Sequence, residues 1–167
     1  MLTNCDAGLP LFREYALKSV WLPIIAFRNE DDEKKFEFDY STWSILKSKL
    51  PTQVNILTME PLTQNKDVVS VLFRLEHYYG ENENAKLSAS VNVNLRTLFS
   101  GKRVLEAKEM SLGGNLMKNE TFGRLKWNER ESNVTHEKES ELFDEVRMIV
   151  HLKPMEIRTF VLKLSNN

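Results

Sequence analysis

The chain has 167 residues, a length that normally forms one domain with a hydrophobic core of its own. Hydrophobic residues make up 41% of it and charged residues 28%, which excludes collagen-like and mostly disordered proteins. Its 23 basic and 24 acidic side chains nearly balance, so no strong field attracts nucleic acid or an anionic membrane.

The amino-terminal region lacks the signals of membrane insertion and secretion. Its apolar stretch over residues 20–27 contains Pro23 and is much shorter than the roughly 20 residues that span a bilayer. The start carries Asp6 and no basic residue, unlike a signal peptide, so we expect a cytosolic protein or a true amino terminus further upstream. Cys5, the single cysteine, cannot form a disulfide within the chain or belong to a cysteine zinc cluster.

The first predicted elements are a short helix, a short strand and a loop. After Pro10, residues such as Leu11 and Tyr15 recur at a helical spacing, which predicts a helix as far as residue 20. Residues 22–27 are apolar and predict a buried strand. Residues 29–35 are polar and mostly charged, which predicts a solvated loop.

The strongest periodic signal is an alternation of apolar and polar residues over 87–95, which predicts a strand with one buried face. Residues 69–75 alternate in the same way. Between the two runs, residues 80–84 are of the kinds that turns favour. We therefore expect the two runs to be neighbouring antiparallel strands.

Four further β-rich runs complete the predicted fold, at residues 53–57, 103–105, 148–152 and 157–164. Together the runs predict an all-β chain: an antiparallel β-sandwich with a short N-terminal helical segment, forming a single domain over 1–167. The last run follows Pro154 and is apolar on both faces, so we expect an interior strand. Residues 128–145 are strongly acidic and predict a long exposed loop.

No group of residues carries a catalytic or metal-binding pattern. His77, His136 and His151 are isolated, and none has the second histidine that a helical zinc motif requires. The chain has no Gly-x-Ser-x-Gly sequence and no phosphate-binding loop, and Gly113-Gly114 predicts a turn. The motifs therefore indicate no metal ligand and no cofactor site in this chain. Spacing alone leaves a Ser-His-Asp arrangement open, and a pair of catalytic carboxylates is uninformative in a chain with this many acidic residues.

Two sequons for N-linked glycosylation stand in predicted loops. They are Asn119-Glu120-Thr121 and Asn133-Val134-Thr135, and neither has proline at its middle position. Both favour the secretory pathway over the cytosol. We expect Asn119 and Asn133 to carry glycans if the complete protein enters that pathway.

Three stretches, in the same order and spacing, resemble the carboxy-terminal region of lysosomal α-mannosidases of glycoside hydrolase family 38. They are Leu-Phe-Arg-Leu-Glu-His-Tyr-Tyr over 72–79, Val-Asn-Val-Asn-Leu-Arg-Thr-Leu-Phe-Ser over 91–100, and Leu-Lys-Pro-Met-Glu-Ile-Arg-Thr-Phe over 152–160. The resemblance covers residues 50–164 well and extends more loosely back to residue 11. It implies a β-sandwich region that follows a catalytic domain and a helical bundle.

The resemblance also implies what this chain lacks. The family's zinc ligands and carboxylate nucleophile lie in an amino-terminal domain that has no counterpart here, so zinc belongs to that domain and no catalytic residue can be transferred. We expect a portion of a lysosomal or secreted enzyme whose partners are its catalytic and helical domains and a mannose-containing glycan, because Met1 falls inside a family domain. The alternative is a stand-alone module that binds glycan or protein without catalysis.

Arg74, Glu76 and His77 lie at the end of the predicted strand 69–75. In the family a hairpin from this region approaches the sugar, so the resemblance makes the three residues candidate substrate-side contacts. The structural alternative is that His77 continues the core face of the strand, while Arg74 and Glu76 share the other face and pair. We favour the structural alternative.

Overall fold

The computed structural model describes residues 5–22, 25, 44–65, 67–123 and 143–166. In chain order these ranges contain α1 (Cys5–Val20), β1 (Val54–Gln64), β2 (Val68–His77), β3 (Val91–Asn94), β4 (Lys102–Met110), β5 (Ile149–Leu152) and β6 (Ile157–Asn166). Short 3₁₀ helices cover Leu95–Thr97 and Lys118–Gly123. Within the described ranges, no helix has the length and apolar character needed to cross a membrane.

The helix starts earlier than the sequence predicts. Instead of following Pro10, α1 begins at Cys5 and contains this proline. A proline inside a helix removes one backbone hydrogen-bond donor, which weakens the helix. Two features of α1 act in the opposite direction: the side chain of Pro10 is buried, and Lys18 places a positive charge at the negative end of the helix dipole. The strand predicted over 22–27 lies mostly outside the described residues, and the loop predicted over 29–35 lies wholly outside them.

Four strands form the main sheet, in the order β1-β2-β6-β4, and every neighbouring pair is antiparallel. The two remaining strands, β3 and β5, pair antiparallel in a separate sheet. Apolar side chains of both sheets form the core between them, including Phe73, Leu75, Val150, Leu152 and Phe160. The predicted antiparallel β-sandwich with one N-terminal helical segment is confirmed.

The predicted pairing of 69–75 with 87–95 is wrong. β2 pairs with β1 and β6, whereas β3 pairs with β5 in the other sheet. The strand predicted from residue 87 is also shorter, because the Asn84 side chain accepts the backbone N–H groups of Lys86 and Leu87 at 3.0 Å each. Such local hydrogen bonds hold the chain in a turn and compete with strand pairing.

The last strand is interior, as the sequence predicts. β6 lies between β2 and β4, so both of its edges are paired. Its residues Arg158, Phe160, Leu162 and Leu164 are buried at alternate positions. This alternation is why β6 contributes to the core along most of its length.

The exposed loop predicted over 128–145 is described only at its last three residues. Asp144 and Glu145 are exposed there. Phe143 is half-buried and meets the ring of Phe160 at 4.9 Å between centroids, in an edge-to-face arrangement. Phe143 therefore packs against the core, and residues 128–142 of the predicted loop lie outside the described residues.

Candidate functional site

The predicted substrate-side residues Arg74, Glu76 and His77 all lie at the end of β2. Successive side chains of a strand point to opposite faces of the sheet. Leu75 and His77 are fully buried on the core face, whereas Arg74 and Glu76 are half-buried on the other face. The three side chains therefore do not meet at one surface.

His77 fastens the loop after β2 to the core. Its Nε2 lies 3.0 Å from the carbonyl oxygen of Ala89. Because a carbonyl oxygen only accepts, Nε2 carries the hydrogen and donates it. The other ring nitrogen, Nδ1, is buried without a hydrogen-bond partner among the described residues. This placement favours the structural alternative for His77.

Arg74 connects β2 with the neighbouring strand and with the turn after β4. Its Nε and Nη2 donate to the carbonyl oxygen of Leu112 at 3.3 and 3.2 Å, and its Nη1 lies 3.4 Å from Oγ1 of Thr58. The expected pair with Glu76 is not formed, because the Arg74 guanidinium is turned toward these two partners. Substrate contact by Arg74 stays a prediction.

Glu76 faces a cleft of about 330 Å³ between α1 and the outer face of the main sheet. The cleft is mostly apolar, and its walls are Phe12, Arg13, Ala16, Leu17, Val20, Trp21, Leu57, Glu76, Tyr78 and Met155. Leu57 reaches it from a β-bulge, where the register of β1 and β2 shifts between Ile56 and Thr58. The Tyr78 hydroxyl donates to the carbonyl oxygen of Thr52 at 2.6 Å.

Arg13 fixes α1 beside this cleft. It forms an ion pair with Glu83, with Nε 2.5 Å from Oε2, and its Nη1 donates to the carbonyl oxygen of Tyr78 at 3.0 Å. Glu83 also accepts the backbone N–H of Gly80 at 2.9 Å. The hydrogen bond from Arg13 holds the pKa of Glu83 below its ordinary value. The helix is thus attached to the loop that follows β2.

A buried ion pair that the sequence did not predict lies on the core face. Arg158 donates from Nε and Nη2 to the two carboxylate oxygens of Glu109, at 2.9 and 2.6 Å. Its Nη1 donates to the carbonyl oxygen of His151 at 2.9 Å. The sequence does contain a sign that Arg158 is buried. Arg158 takes the inward position two residues before Phe160 and four before Leu162, on the same face of the strand.

The sequence also matches a family model described as the glycosyl hydrolases family 38 C-terminal beta sandwich domain, over residues 53–160. That range contains most of both sheets. The chain belongs to glycoside hydrolase family 38. The resemblance of residues 72–79, 91–100 and 152–160 to this family is therefore confirmed.

Several relatives of the family 38 chain are α-mannosidases. An α-mannosidase of Arabidopsis thaliana is 33% identical over 146 residues, which cover 86% of this chain and 14% of the relative. The α-mannosidase of Canavalia ensiformis is 30% identical over a region that covers 94% of this chain and 16% of the relative. The lysosomal α-mannosidase of Homo sapiens is 36% identical over a region that covers 71% of this chain and 11% of the relative. The chain thus spans only a small part of each relative.

The zinc that the family resemblance places in a catalytic domain does not fit the described part of this chain. Among the described residues, no three His, Cys, Asp or Glu side chains lie close enough together to hold a metal ion. Nε2 of His77 is occupied by Ala89, and Nδ1 of His151 lies 2.8 Å from Oδ1 of Asn92.

One of the two predicted glycosylation sites lies within the described residues. Asn119 is exposed, in the 3₁₀ helix Lys118–Gly123 instead of the predicted loop. The hydroxyl of Thr121, the third residue of the sequon, donates to the carbonyl oxygen of Lys118 at 2.6 Å. Asn133 lies outside the described residues.

Proposed function

We propose that residues 1–167 form the C-terminal β-sandwich portion of a lysosomal-type α-mannosidase, an enzyme that removes terminal α-D-mannose from glycoprotein glycans. This portion supports a zinc-dependent catalytic domain and is not catalytic alone. The observation that carries the proposal is the match of the family 38 C-terminal domain over residues 53–160, together with relatives of which this chain spans 11–16%. Its partners are then the catalytic and helical domains of the same enzyme.

The internal structure of the sandwich suits a supporting role. Arg158 joins β6 to β4 through Glu109 and to β5 through the His151 carbonyl, so one side chain ties both sheets together. Buried, fully hydrogen-bonded polar groups favour a single arrangement of the strands around them. A sandwich held in this way offers a rigid surface to a neighbouring domain.

We also propose Arg74, Glu76 and His77 as the substrate-side region of this portion. Glu76 supports this part of the proposal, because its carboxylate lines an open cleft. Full burial of His77 limits it to a positioning role, in which it holds the loop that contains Ala89.

Localisation in the lysosome or the secretory pathway is part of the same proposal. The exposed Asn119 and the sequon at Asn133 support it, since N-linked glycans are added in that pathway. The human relative is named as lysosomal, and the plant relatives carry no such word in their names.

A second candidate function is a stand-alone module that binds carbohydrate or protein. The observation that favours it is the cleft itself, which presents the rings of Phe12, Trp21 and Tyr78 beside the Glu76 carboxylate. Aromatic faces next to a hydrogen-bonding group suit the apolar and polar sides of a sugar.

A whole-enzyme chimera tests the proposal: this chain replaces the matching segment of the Canavalia ensiformis α-mannosidase. We expect the chimera to hydrolyse an aryl α-mannoside and to lose that activity when zinc is chelated. The isolated 167-residue chain is expected to be inactive with or without zinc. Turnover by the isolated chain, or a folded chimera without activity, contradicts the proposal, and calorimetric binding of mannose to the isolated chain favours the module.

A further inference from the structure

One face of α1 is apolar and open to solvent. Leu9, Phe12, Ala16 and Val20 follow one another at intervals of three and four residues, so they form a single stripe along the helix. Phe12 is 69% exposed and Val20 is 74% exposed. Trp21, directly after the helix, is 55% exposed and continues the surface. We call these five residues the α1 stripe.

The α1 stripe is not the solvated side of an ordinary surface helix. Glu14 and Lys18 form the exposed ion pair of α1, at 2.6 Å, and they lie outside the stripe. A solvated helix usually places its charged residues toward water and its apolar residues toward the protein. Here the stripe borders the cleft and stays largely uncovered by the described part of the sandwich.

The cleft chemistry favours a protein surface over a sugar as the occupant. Six of the described residues that line it are aliphatic or aromatic and carry no N–H or O–H group: Phe12, Ala16, Leu17, Val20, Leu57 and Met155. Trp21 adds an aromatic ring whose one polar group is the indole N–H. Two of the described residues that line the cleft are charged, and of these Arg13 already donates to Glu83 and to the Tyr78 carbonyl. Among the described residues this leaves Glu76 as the one charged group for a ligand, whereas a sugar presents many hydroxyl groups that need partners.

Large exposed apolar surfaces of soluble proteins mark protein interfaces, and the family supplies a partner. The family 38 relatives are much longer than the region matched here, since this chain spans 11–16% of them. The helix is also held in place in advance by the ion pair of Arg13 with Glu83. A preordered helix loses little entropy when it docks.

We propose that the α1 stripe and the apolar walls of the cleft form the docking face for the remainder of the α-mannosidase chain, which covers them with apolar side chains and leaves Glu76 facing the part of the enzyme that binds the sugar. This inference rests on the proposed function and names the surface through which the sandwich supports the catalytic part. Docking should hold α1 folded in the complete enzyme.

Lysine substitutions in the whole-enzyme chimera test the docking face. The variants are Phe12→Lys and Val20→Lys, because lysine is a good helix former and is favourable near the carboxyl end of a helix. The matched control is Val146→Lys, since Val146 is 78% exposed, lies before β5 and is not one of the residues that line the cleft. The measurements are aryl α-mannoside turnover after mild heating and the rate at which a glutamate-specific protease cleaves after Glu14 in α1, a site that none of the three substitutions changes.

We expect Val20→Lys and Phe12→Lys to speed cleavage within α1 of the chimera about tenfold, because proteolysis follows the population of the locally opened helix. Residual activity after heating should fall in the same two variants. Val146→Lys should leave both measurements at the chimera's own values. In the isolated chain, all three variants should match the unsubstituted chain in cleavage rate within α1.

Three outcomes overturn the proposal. The first is that the stripe variants behave like Val146→Lys in the chimera. The second is that the isolated chain is a dimer that Val20→Lys dissociates, which makes a second copy the occupant. The third is calorimetric binding of a mannose oligosaccharide that Phe12→Lys abolishes. An unsubstituted chimera without activity contradicts the proposed function instead, and the cleavage rates still report on docking.

Discussion

Arg158 of β6 and Glu109 of β4 form a buried two-point ion pair, with nitrogen–oxygen distances of 2.9 and 2.6 Å. Their side chains are 4% and 7% exposed. Burying a charge is costly, and the cost is offset only when the partner and the remaining hydrogen-bonding groups are in place. The third contact, to the His151 carbonyl on β5, extends the pair across the sandwich.

Removal of one partner from this pair should destabilise the fold strongly. Glu109→Leu leaves the Arg158 guanidinium charged and buried, and we expect a loss of about 3–5 kcal/mol in the free energy of unfolding. The double variant Arg158→Met with Glu109→Leu should lose less than Glu109→Leu alone. Urea unfolding of the unsubstituted chain and of the two variants measures this, and equal losses in the single and double variants would contradict the prediction.

The face of Glu109 could not be read from the sequence, for a geometric reason. Counting every second residue from Val104 places Glu106 toward the core and Ala107 away from it. The register of β4 and β6 shifts between Val104 and Glu106, which adds one residue and reverses the alternation. Ala107 and Glu109 are therefore buried, and Glu106 pairs with Lys163 outside the core.

The attachment of α1 should depend on pH through Glu83. Its pKa is lower in the folded chain than the ordinary value of 4.5, because Arg13 donates to its carboxylate. A carboxyl group of this kind stabilises the fold above its unfolded pKa, and the stabilisation disappears as the pH falls through the folded pKa. We expect α1 to lose hydrogen-exchange protection, corrected for intrinsic rates, as the pH falls below 4.5.

Two variants serve as controls for the predicted pH dependence of α1. The Glu83→Gln variant has no carboxyl group at position 83 to titrate. Its α1 should therefore show weak hydrogen-exchange protection that is the same above and below pH 4.5. Glu14→Gln removes the exposed pair with Lys18 and should leave the pH dependence unchanged. A pH dependence that survives Glu83→Gln would assign the effect to another group.

Truncation should show that β6 holds the main sheet together. Removing residues 153–167 leaves β2 and β4 without their shared neighbour and deletes buried Phe160 and Leu162. We expect the truncated chain to lose cooperative thermal unfolding, whereas removal of residues 166–167 alone should preserve it. An unchanged melting temperature after the longer truncation would show that β6 is dispensable.

The strand positions were easier to predict than the strand partners. Residues 157–164 are apolar on both faces, and that pattern indicates an interior strand wherever its neighbours lie. The alternation over 87–95 fixes a buried face but carries no information about which strand lies alongside. The turn at Asn84 and the pairing of β3 with β5 arise from contacts that a single run of residues does not reveal.

The two roles considered for the end of β2 can be separated in the whole-enzyme chimera. His77→Ala removes a fully buried ring and its bond to Ala89, so we expect a loss of about 2–4 kcal/mol in stability with unchanged KM. Glu76→Gln should raise KM at an unchanged melting temperature, since Glu76 faces the cleft. Normal kinetics in Glu76→Gln would count against substrate contact.

Glycosylation is expected at Asn119 and Asn133 when the chain is expressed through a eukaryotic secretory pathway. Treatment with an N-glycosidase should lower the mass, and Asn119→Gln should remove one part of the shift and Asn133→Gln the other. Asn119 is exposed, so the fold leaves its side chain accessible. Unmodified peptides at both positions would contradict the prediction.

The central position of β6 has a consequence for how the protein is made. β2 ends at His77, and β6, which pairs with its second edge, begins only at Ile157. At about 5–20 residues per second, a ribosome needs several seconds to synthesise the intervening segment. Throughout that interval the nascent chain carries β2 with one open edge, which is the kind of edge that aggregates. We therefore expect the yield of folded protein to depend on how well this open edge of β2 is protected until β6 has been synthesised.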